Sequence, residues 1–163
     1  MKPIIACVKV RMGSTRYPGK VMYEVAGKPL LGHLVSRIKR SRLIDNVIIA
    51  TSVNKENNII QEFCEKNDIF CFRGDENDVL GRTLKSLEEY GALTGVEVFG
   101  DCPLIDPQII DFIVEKFIKN SDYDLVSNDI STTFPPGMEV EVYKVSALKK
   151  ASINIVDPLI REH

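Results

Sequence analysis

A run of small, hydroxylated and basic residues follows the first apolar stretch of the chain. Residues 3–10 are largely apolar, and residues 11–20 then read Arg-Met-Gly-Ser-Thr-Arg-Tyr-Pro-Gly-Lys. Glycines let backbone N–H groups approach an anion, hydroxyls donate hydrogen bonds, and cations neutralise phosphate charge. The segment therefore predicts a triphosphate-binding loop, with an ordinary basic surface loop as the alternative. It matches neither the P-loop pattern nor the glycine-rich dinucleotide fingerprint.

A carboxylate at the end of a later apolar run is the second candidate for chemistry. Asp101 follows residues 95–100, and Pro103 comes two positions after it. Mg²⁺ is usually held in proteins by one or two carboxylates together with substrate phosphates and water. Asp101 is therefore the predicted metal ligand, and a turn-forming role before Pro103 is the alternative.

Polar residues at the ends of other predicted strands are weaker candidates. Ser52 could bind a nucleobase, although hydroxylated strand ends are common, and the planar guanidinium of Arg73 could bind a base edge or a phosphate. Arg82 lies one turn into a predicted helix and could equally be a surface residue. Glu139 and Glu141 share one face of a predicted strand. They could bind an acceptor or a second metal, or simply face solvent.

The cysteines and histidines do not suggest a metal centre or a thiol nucleophile. The chain has four cysteines, none in a CxxC pair, and two histidines, so a zinc site is not expected. We expect Cys7, Cys64 and Cys71 to be buried free thiols in a reducing compartment. Cys102 has no evident histidine base and is expected to serve in packing.

These candidates depend on an alternation of short strands and helices. The predicted strands cover residues 3–10, 46–51, 69–72, 95–100, 123–127 and, half-exposed, 139–143. The predicted helices cover residues 29–42, 55–66 (with Ile59, Ile60, Phe63 and Cys64 inward), 79–90, 108–119 and 146–151. This order is typical of an α/β fold with a mainly parallel sheet and helices on both faces. Ligands of such sheets bind at the carboxyl ends of the strands, where the candidate loops lie.

Two cap positions and one irregular segment complete the predicted architecture. Asp78 and Asp106 are expected to cap the helices that follow them. Residues 1–163 are predicted to form a single domain, with 128–145 as a candidate excursion toward an acceptor or a dimer partner. Asp157 and Pro158 begin a helix that has too few residues to hold itself together, so a C-terminally truncated polypeptide is expected.

The bulk composition narrows the class of protein. The chain has 163 residues, 44% of them hydrophobic and 27% charged, with a formal net charge of −2. These values fit one globular domain and argue against a general nucleic-acid binder, which would carry excess positive charge. No apolar run approaches the ~20 residues of a membrane span, and the first residues lack the pattern of a signal peptide. A cytoplasmic location is expected, with no membrane or nucleic-acid partner.

Several motifs together resemble one family. Their order and spacing are similar to those of the cytidylyltransferases, most of all the spore coat polysaccharide biosynthesis branch, which is related to the synthetases that attach CMP to sialic acid and to 3-deoxy-manno-octulosonate. The resemblance covers essentially the whole chain. The segments that carry it are 10–20, 49–52, 72–82, 100–105, 127–128, 134–137 and 161–163.

The resemblance implies a fold, a reaction and a set of site residues. It implies a Rossmann-like nucleotide-diphospho-sugar transferase sheet and Mg²⁺-dependent coupling of CTP to a sugar, with an acidic sugar as one candidate, in cell-surface or spore-coat polysaccharide biosynthesis. Catalytic roles are expected for Arg11, Lys20 and Asp101, with Asp101 as the metal ligand. Nucleotide binding is expected from Arg11, Gly13, Ser14, Thr15, Arg16, Lys20, Ser52, Arg73 and Arg82. Acceptor binding is expected from Asn128, Glu139 and Glu141.

Other functions stay open at this point. The loop lacks the paired glycines and the Asn after the Lys of the sialic-acid enzymes, so the resemblance does not identify the sugar. A nucleotidyltransferase or nucleotide-sugar glycosyltransferase with another donor is the first alternative. A non-catalytic nucleotide-binding or assembly module is the second, and a homodimer is a candidate assembly.

Overall fold

The computed structural model describes residues 3–14, 17–131 and 133–162. The strands are β1 (Ile4–Lys9), β2 (Glu24–Val25), β3 (Lys28–Pro29), β4 (Asn46–Ser52), β5 (Phe70–Gly74), β6 (Thr94–Val98), β7 (Leu125–Ser127) and β8 (Val140–Lys144). The helices are α1 (Leu30–Ile38), α2 (Asn58–Lys66), α3 (Val79–Glu89), α4 (Pro107–Lys119), α5 (Val145–Asn154) and α6 (Pro158–Glu162).

Six of these strands form one sheet in the order β5-β4-β1-β6-β8-β7. β1, β4, β5 and β6 run parallel, whereas β8 is antiparallel to both β6 and β7. The predicted mainly parallel α/β sheet is therefore confirmed. Since the parallel strands point the same way, the loops that follow β1, β4, β5 and β6 meet at one edge.

The core lies on both faces of this sheet because successive side chains of a strand alternate. In β1, Ala6 and Val8 contact the apolar residues of α1, α2 and α4. Ile5 and Cys7 point the other way, toward Leu84 and Leu87 of α3 and the start of α5. The expectation of helices on both faces is confirmed. Lys9 and Glu97, which continue the alternation, lie on the α3 and α5 face.

The first helix is shorter than predicted. It ends at Ile38 rather than at residue 42, because the chain turns toward Asp111 on α4. The Oδ1 atom of Asp111 accepts hydrogen bonds from the Ser41 hydroxyl at 2.5 Å and from the Arg42 N–H at 3.0 Å. This buried carboxylate ties the end of α1 to α4.

Two further expectations about exposure are wrong. Ile59 is 44% exposed, because the buried face of α2 is centred on Ile60 and Cys64. The strand at 139–143 is not half-exposed, since β8 lies between β6 and β7 and its Val140 and Val142 are fully buried.

The irregular segment divides into two parts. Residues 128–139 connect β7 to β8, and residues 140–144 belong to the central sheet. The β2–β3 hairpin was not predicted, since each of its strands has only two residues. Within the described ranges, none of the helices has the length and apolar character that crossing a membrane requires.

Candidate functional site

The loop after β1 closes on its own backbone. The N–H groups of Ser14 and Gly19 both donate to the carbonyl of Met12, at 2.9 and 2.8 Å. Gly19 has a φ of +75°, a left-handed conformation that glycine adopts without strain. The Met12 N–H donates to Oδ1 of buried Asn57 at 2.8 Å, which anchors the loop to the segment after β4.

The backbones of β1 and β6 come unusually close at the edge where this loop begins. A Cβ atom added to Gly100 would lie 2.7 Å from the carbonyl oxygen of Lys9. Glycine is therefore required at residue 100, and it places the next residue, Asp101, beside the loop. The Nζ atom of Lys20 lies 2.7 Å from Oδ2 of Asp101.

Four of the predicted site residues line one cleft at this edge. Arg11, Ser14, Lys20 and Asp101 surround a space of about 250 Å³. A Cβ added to Gly13 would meet nothing within 4 Å, so this exposed glycine borders open space. The predicted nucleotide-binding residues Thr15 and Arg16 lie outside the described residues.

Arg11 is held by two carboxylates that the sequence did not single out. Its Nη1 atom lies 2.9 Å from Oε1 of Glu76, and its Nη2 atom lies 3.3 Å from Oε1 of Glu162. Burial alone would raise the pKa of Glu76, but hydrogen bonds with Ser52 and Arg11 outweigh it and hold the pKa below its ordinary value. Glu76 therefore remains ionised and joins the loops after β1, β4 and β5.

Ser52 and Arg73 lie at the same edge, but both are bound within the protein. The Ser52 hydroxyl is fully buried and accepts from Nδ2 of Asn57 at 2.7 Å. The three guanidinium nitrogens of Arg73 donate to the Ser52 and Asn54 carbonyls and to side chains of α2. Arg73 thus fastens the connection between β4 and α2.

Arg82 is a buried residue and not a surface one. It is 3% exposed, and its Nη1 atom donates to the carbonyls of Asp75 and Glu76. Burial lowers the pKa of Arg82, and its Nε atom has no partner among the described residues. With Lys9 and Arg11 it lines a second cleft of about 270 Å³ beside the first.

The three predicted acceptor-binding residues occupy different environments. Asn128 braces its loop, since it donates to the Met138 carbonyl at 2.9 Å and accepts from the Val140 N–H at 2.7 Å. Glu139 accepts from the Gly137 N–H at 2.8 Å and from the thiol of Cys102 at 3.8 Å. The structure thus places Glu139 beside the residue that follows Asp101.

Glu141 lies in the sheet directly opposite Glu97 of β6. Burial, assisted by the charges of Glu97 and Asp129, raises the pKa of Glu141 to about 7. Glu97 itself is 6% exposed and pairs with Lys9. A row of ionisable side chains therefore crosses β1, β6 and β8 on the α3 and α5 face.

The expectation of burial is confirmed for Cys7 and Cys64 and is wrong for Cys71. Cys7 and Cys64 are buried, whereas Cys71 and Cys102 are partly exposed. Burial, with the neighbouring charges of Asp101 and Glu139, raises the pKa of Cys102 to about 11. Its thiol is therefore protonated at neutral pH and is not a nucleophile there. In the described part of the chain, no group of three or more His, Cys, Asp or Glu side chains could hold a metal ion.

The last described helix packs against the start of α3. Arg161 forms a two-pronged ion pair with Asp78, at 2.9 and 3.0 Å. Asp78 also accepts from the Gly81 N–H at 2.9 Å, which confirms its predicted capping role. The predicted cap at Asp106 is confirmed as well, with a 2.8 Å bond from the Gln108 N–H.

Comparison with known proteins gives one family match and several relatives. A sequence model described as Cytidylyltransferase matches residues 5–155. An uncharacterized protein of Methanocaldococcus jannaschii is 36% identical over 98% of this chain, and the chain spans 64% of that protein. The spore coat polysaccharide biosynthesis protein SpsF of Bacillus subtilis is 31% identical over 100% of this chain and 72% of its own length.

A solved structure agrees with the sequence match. The structure of a cytidylyltransferase from Leptospira borgpetersenii superposes with a TM-score of 0.91 at 33% identity. The superposition covers 99% of this chain and 67% of that one. The fold of this chain is therefore shared with a solved relative.

Proposed function

Because the chain belongs to the cytidylyltransferase family, as its motifs predict, we propose that it transfers the cytidylyl group of CTP to a sugar and releases pyrophosphate. One observation carries this proposal. Arg11, Ser14, Lys20 and Asp101 come from two separate segments of the chain and line a single cleft at the carboxyl ends of β1 and β6. That cleft combines cations, a hydroxyl and a carboxylate, which are the groups that a triphosphate and its counter-ion require.

The proposed reaction is an in-line displacement at the α-phosphorus of CTP. A sugar hydroxyl forms the new P–O bond while the bond to the leaving pyrophosphate breaks, and the hydroxyl proton passes to solvent. Such a reaction needs positioning and charge stabilisation more than covalent help from side chains. Arg11 and Lys20 stabilise the charge that develops on the phosphate oxygens.

Lys20 and Asp101 exchange partners when the triphosphate enters. The Nζ atom of Lys20 turns from the Asp101 carboxylate to a phosphate oxygen, which keeps the ammonium paired throughout. The Asp101 side chain is 45% exposed and offers hard oxygen donors, so it fits Mg²⁺. Mg²⁺ held there would neutralise phosphate charge.

Ser52, Arg73 and Arg82 act on the nucleotide through the loops that they hold. Their hydrogen-bonding groups are used mainly within the protein, and together they fix the turn that carries Glu76 and the segment that carries Asn57. Glu76 in turn orients Arg11. We assign the loops that these residues hold to the wall around the base and ribose.

The pathway proposal follows from the likeness to SpsF. That relative is a spore coat polysaccharide biosynthesis protein. We therefore place the product, a CMP-activated sugar, in the assembly of a cell-surface polysaccharide.

A pyrophosphate-release assay tests the proposal. The chain is incubated with CTP, UTP, GTP or ATP, with Mg²⁺ or with a chelator, and with a panel of neutral, amino and acidic sugars. We expect release with CTP and Mg²⁺ only, and its loss in Asp101→Asn. Release with another nucleotide would instead indicate a different donor, and CTP binding without release in any mixture would indicate a non-catalytic module.

A further inference from the structure

A pocket of about 400 Å³ lies between the central sheet and the helices α3, α5 and α6, and Lys9 is one of the residues that line it. Its walls are apolar and come from α3, α5 and α6, with Val79, Leu80, Leu148 and Ile160 among them. Its floor is the ionisable row of the central sheet. Apolar walls around a small number of polar groups are typical of a small-molecule site.

The floor holds a carboxylate that lacks a cation. Lys9 forms an ion pair with Glu97, and the neighbouring Glu141 lies opposite Glu97 in the sheet. Among the described residues, no cation forms an ion pair with Glu141. Four carboxylates and two cations line the pocket, so its formal charge is negative.

A buried hydroxyl provides a second, independent sign of a ligand. Tyr143 also lines the pocket and is only 6% exposed. Its hydroxyl has no hydrogen-bond partner among the described residues. Since a buried hydroxyl without a partner destabilises a fold, such a group is usually satisfied by something bound beside it.

The pocket is adjacent to the candidate nucleotide site. Lys9 lines the pocket and both of the clefts beside the loop 10–20. Val79 and Glu162 line the pocket and the cleft that contains Arg11 and Arg82. A molecule in the pocket would therefore lie next to a nucleotide in the clefts.

We propose that this pocket holds the acceptor, and that it selects a hydroxylated ring carrying an amino group over one carrying a carboxylate. The inference rests on the proposed function and names the substrate class of the same site. An ammonium group donates charge-assisted hydrogen bonds to Glu141 and Glu97, a ring hydroxyl pairs with the Tyr143 hydroxyl, and the apolar face of the ring covers the walls. A carboxylate would face like charges.

Direct binding of three matched sugars tests this class. D-glucosamine, D-glucose and D-glucuronic acid share one ring and differ in carrying an amine, a neutral group or a carboxylate. Binding is measured by saturation-transfer NMR at about pH 7.5, above the pKa of Glu141 of about 7 and below about 8, where amines of this kind lose their proton. We expect glucosamine to bind roughly five- to tenfold more tightly than glucose, and glucuronate to bind most weakly.

Two variants test which residues set this order. Glu141→Gln should bring glucosamine to within about twofold of glucose, whereas Glu89→Gln, an exposed change on α3, should leave the order unchanged. Tyr143→Phe removes only the hydroxyl without a partner, so we expect an unchanged or higher melting temperature together with weaker binding of all three sugars. A purely structural tyrosine would not change sugar affinity.

Three outcomes would overturn the proposal. They are glucuronate binding as tightly as glucosamine, an unchanged order in Glu141→Gln, and no saturation transfer from any of the three sugars. CTP binding is measured in parallel by calorimetry. If CTP binds and reacts while the sugar order fails, only this inference is wrong; if CTP neither binds nor reacts, the proposed function is wrong.

Discussion

Among the side chains at the edge of the sheet, Lys20 is the one whose replacement we expect to change the reaction rate most directly. Lys20 meets Asp101 at 2.7 Å in the cleft, and it is the cation proposed to follow the phosphates through the reaction. We expect Lys20→Ala to raise the barrier by about 2–4 kcal/mol, as the loss of one preorganised donor does elsewhere. Pyrophosphate release under saturating CTP measures the change.

A matched lysine variant controls for the loss of charge. Lys28 is exposed on the β2–β3 hairpin, away from the cleft, so Lys28→Ala should react at the rate of the unchanged protein. Equal rates for Lys20→Ala and the unchanged protein would remove Lys20 from the mechanism.

The raised pKa of Glu141 leads to a prediction about how the stability of the fold depends on pH. Its pKa in the fold is about 7, above the ordinary value of 4.5, so ionising this carboxyl destabilises the folded state. That destabilisation is absent below pH 4.5, grows as the pH rises toward 7, and is complete above 7. Glu141→Gln should therefore stabilise the protein at about pH 8, on the order of 1 kcal/mol after screening by solvent, and have little effect at about pH 5.

Thermal unfolding of both proteins at the two pH values measures this difference. The exposed variant Glu89→Gln is the control and should show no such pH dependence. A gain of the same size at both pH values would show that packing, and not ionisation, is responsible.

At the scale of elements, the close approach of the chain after β6 to the end of β1 leads to a prediction about stability. A Cβ at residue 100 would lie 2.7 Å from the Lys9 carbonyl oxygen, so Gly100→Ala must push the two strand ends apart. We expect a loss of roughly 1–3 kcal/mol in the free energy of unfolding. Urea denaturation measures it.

Gly13→Ala is the matched control for stability, because a Cβ there meets nothing within 4 Å. It should change the free energy of unfolding by no more than about 0.5 kcal/mol. If both alanine variants are equally stable, the close approach of the strands does not constrain residue 100.

The elements also show what the sequence could predict. Apolar runs predicted each strand of the parallel half, and the turn residues Asp78 and Asp106 predicted two helix starts, because these signals are local. Ile59 was predicted inward because it is apolar, and the sequence does not reveal that the buried face of α2 is centred on Ile60 and Cys64. The burial of β8 depends on which strands flank it, and that is decided by the whole sheet.

The candidate site was also predictable only where its signals are local in the sequence. Arg11, Ser14, Lys20 and Asp101 lie in the segments that follow two apolar strands and carry charge or hydroxyls, so their types and positions indicated them. Asn57 and Glu76 were missed, because each acts through a contact with a residue far away in the chain. Met12 with Asn57 and Arg11 with Glu76 are separated by 45 and 65 positions.

At the scale of the whole molecule, the free energy of unfolding depends on pH through carboxylates whose pKa values are shifted in opposite directions. Hydrogen bonds outweigh burial and lower the pKa of Glu76 and Asp111, and the hydrogen bond from Arg161 lowers that of Asp78. Their stabilisation is present above the ordinary carboxyl pKa and is lost as the pH falls below it. Glu141 acts in the opposite direction, between 4.5 and about 7.

We therefore expect the free energy of unfolding to be highest in the lower half of that window and to fall on both sides. Urea unfolding at about pH 3, 5 and 8 would measure the curve. A steady rise in stability from about pH 5 to pH 8 would contradict this balance of charges.

The antiparallel direction of β8 determines where the connection between β7 and β8 lies. Because β8 runs against β6, with Val140 opposite Val98, it begins at the edge where the parallel strands end. The described part of the connection at residues 128–139 therefore lies at the edge that carries the candidate site, while both of its ends are fixed by sheet pairing. Insertions or deletions there would remodel the rim above Asp101 without shifting the register of any strand. Swapping this connection between relatives would therefore change the rim above Asp101 while leaving the sheet and the proposed acceptor pocket, which none of these residues lines, unchanged.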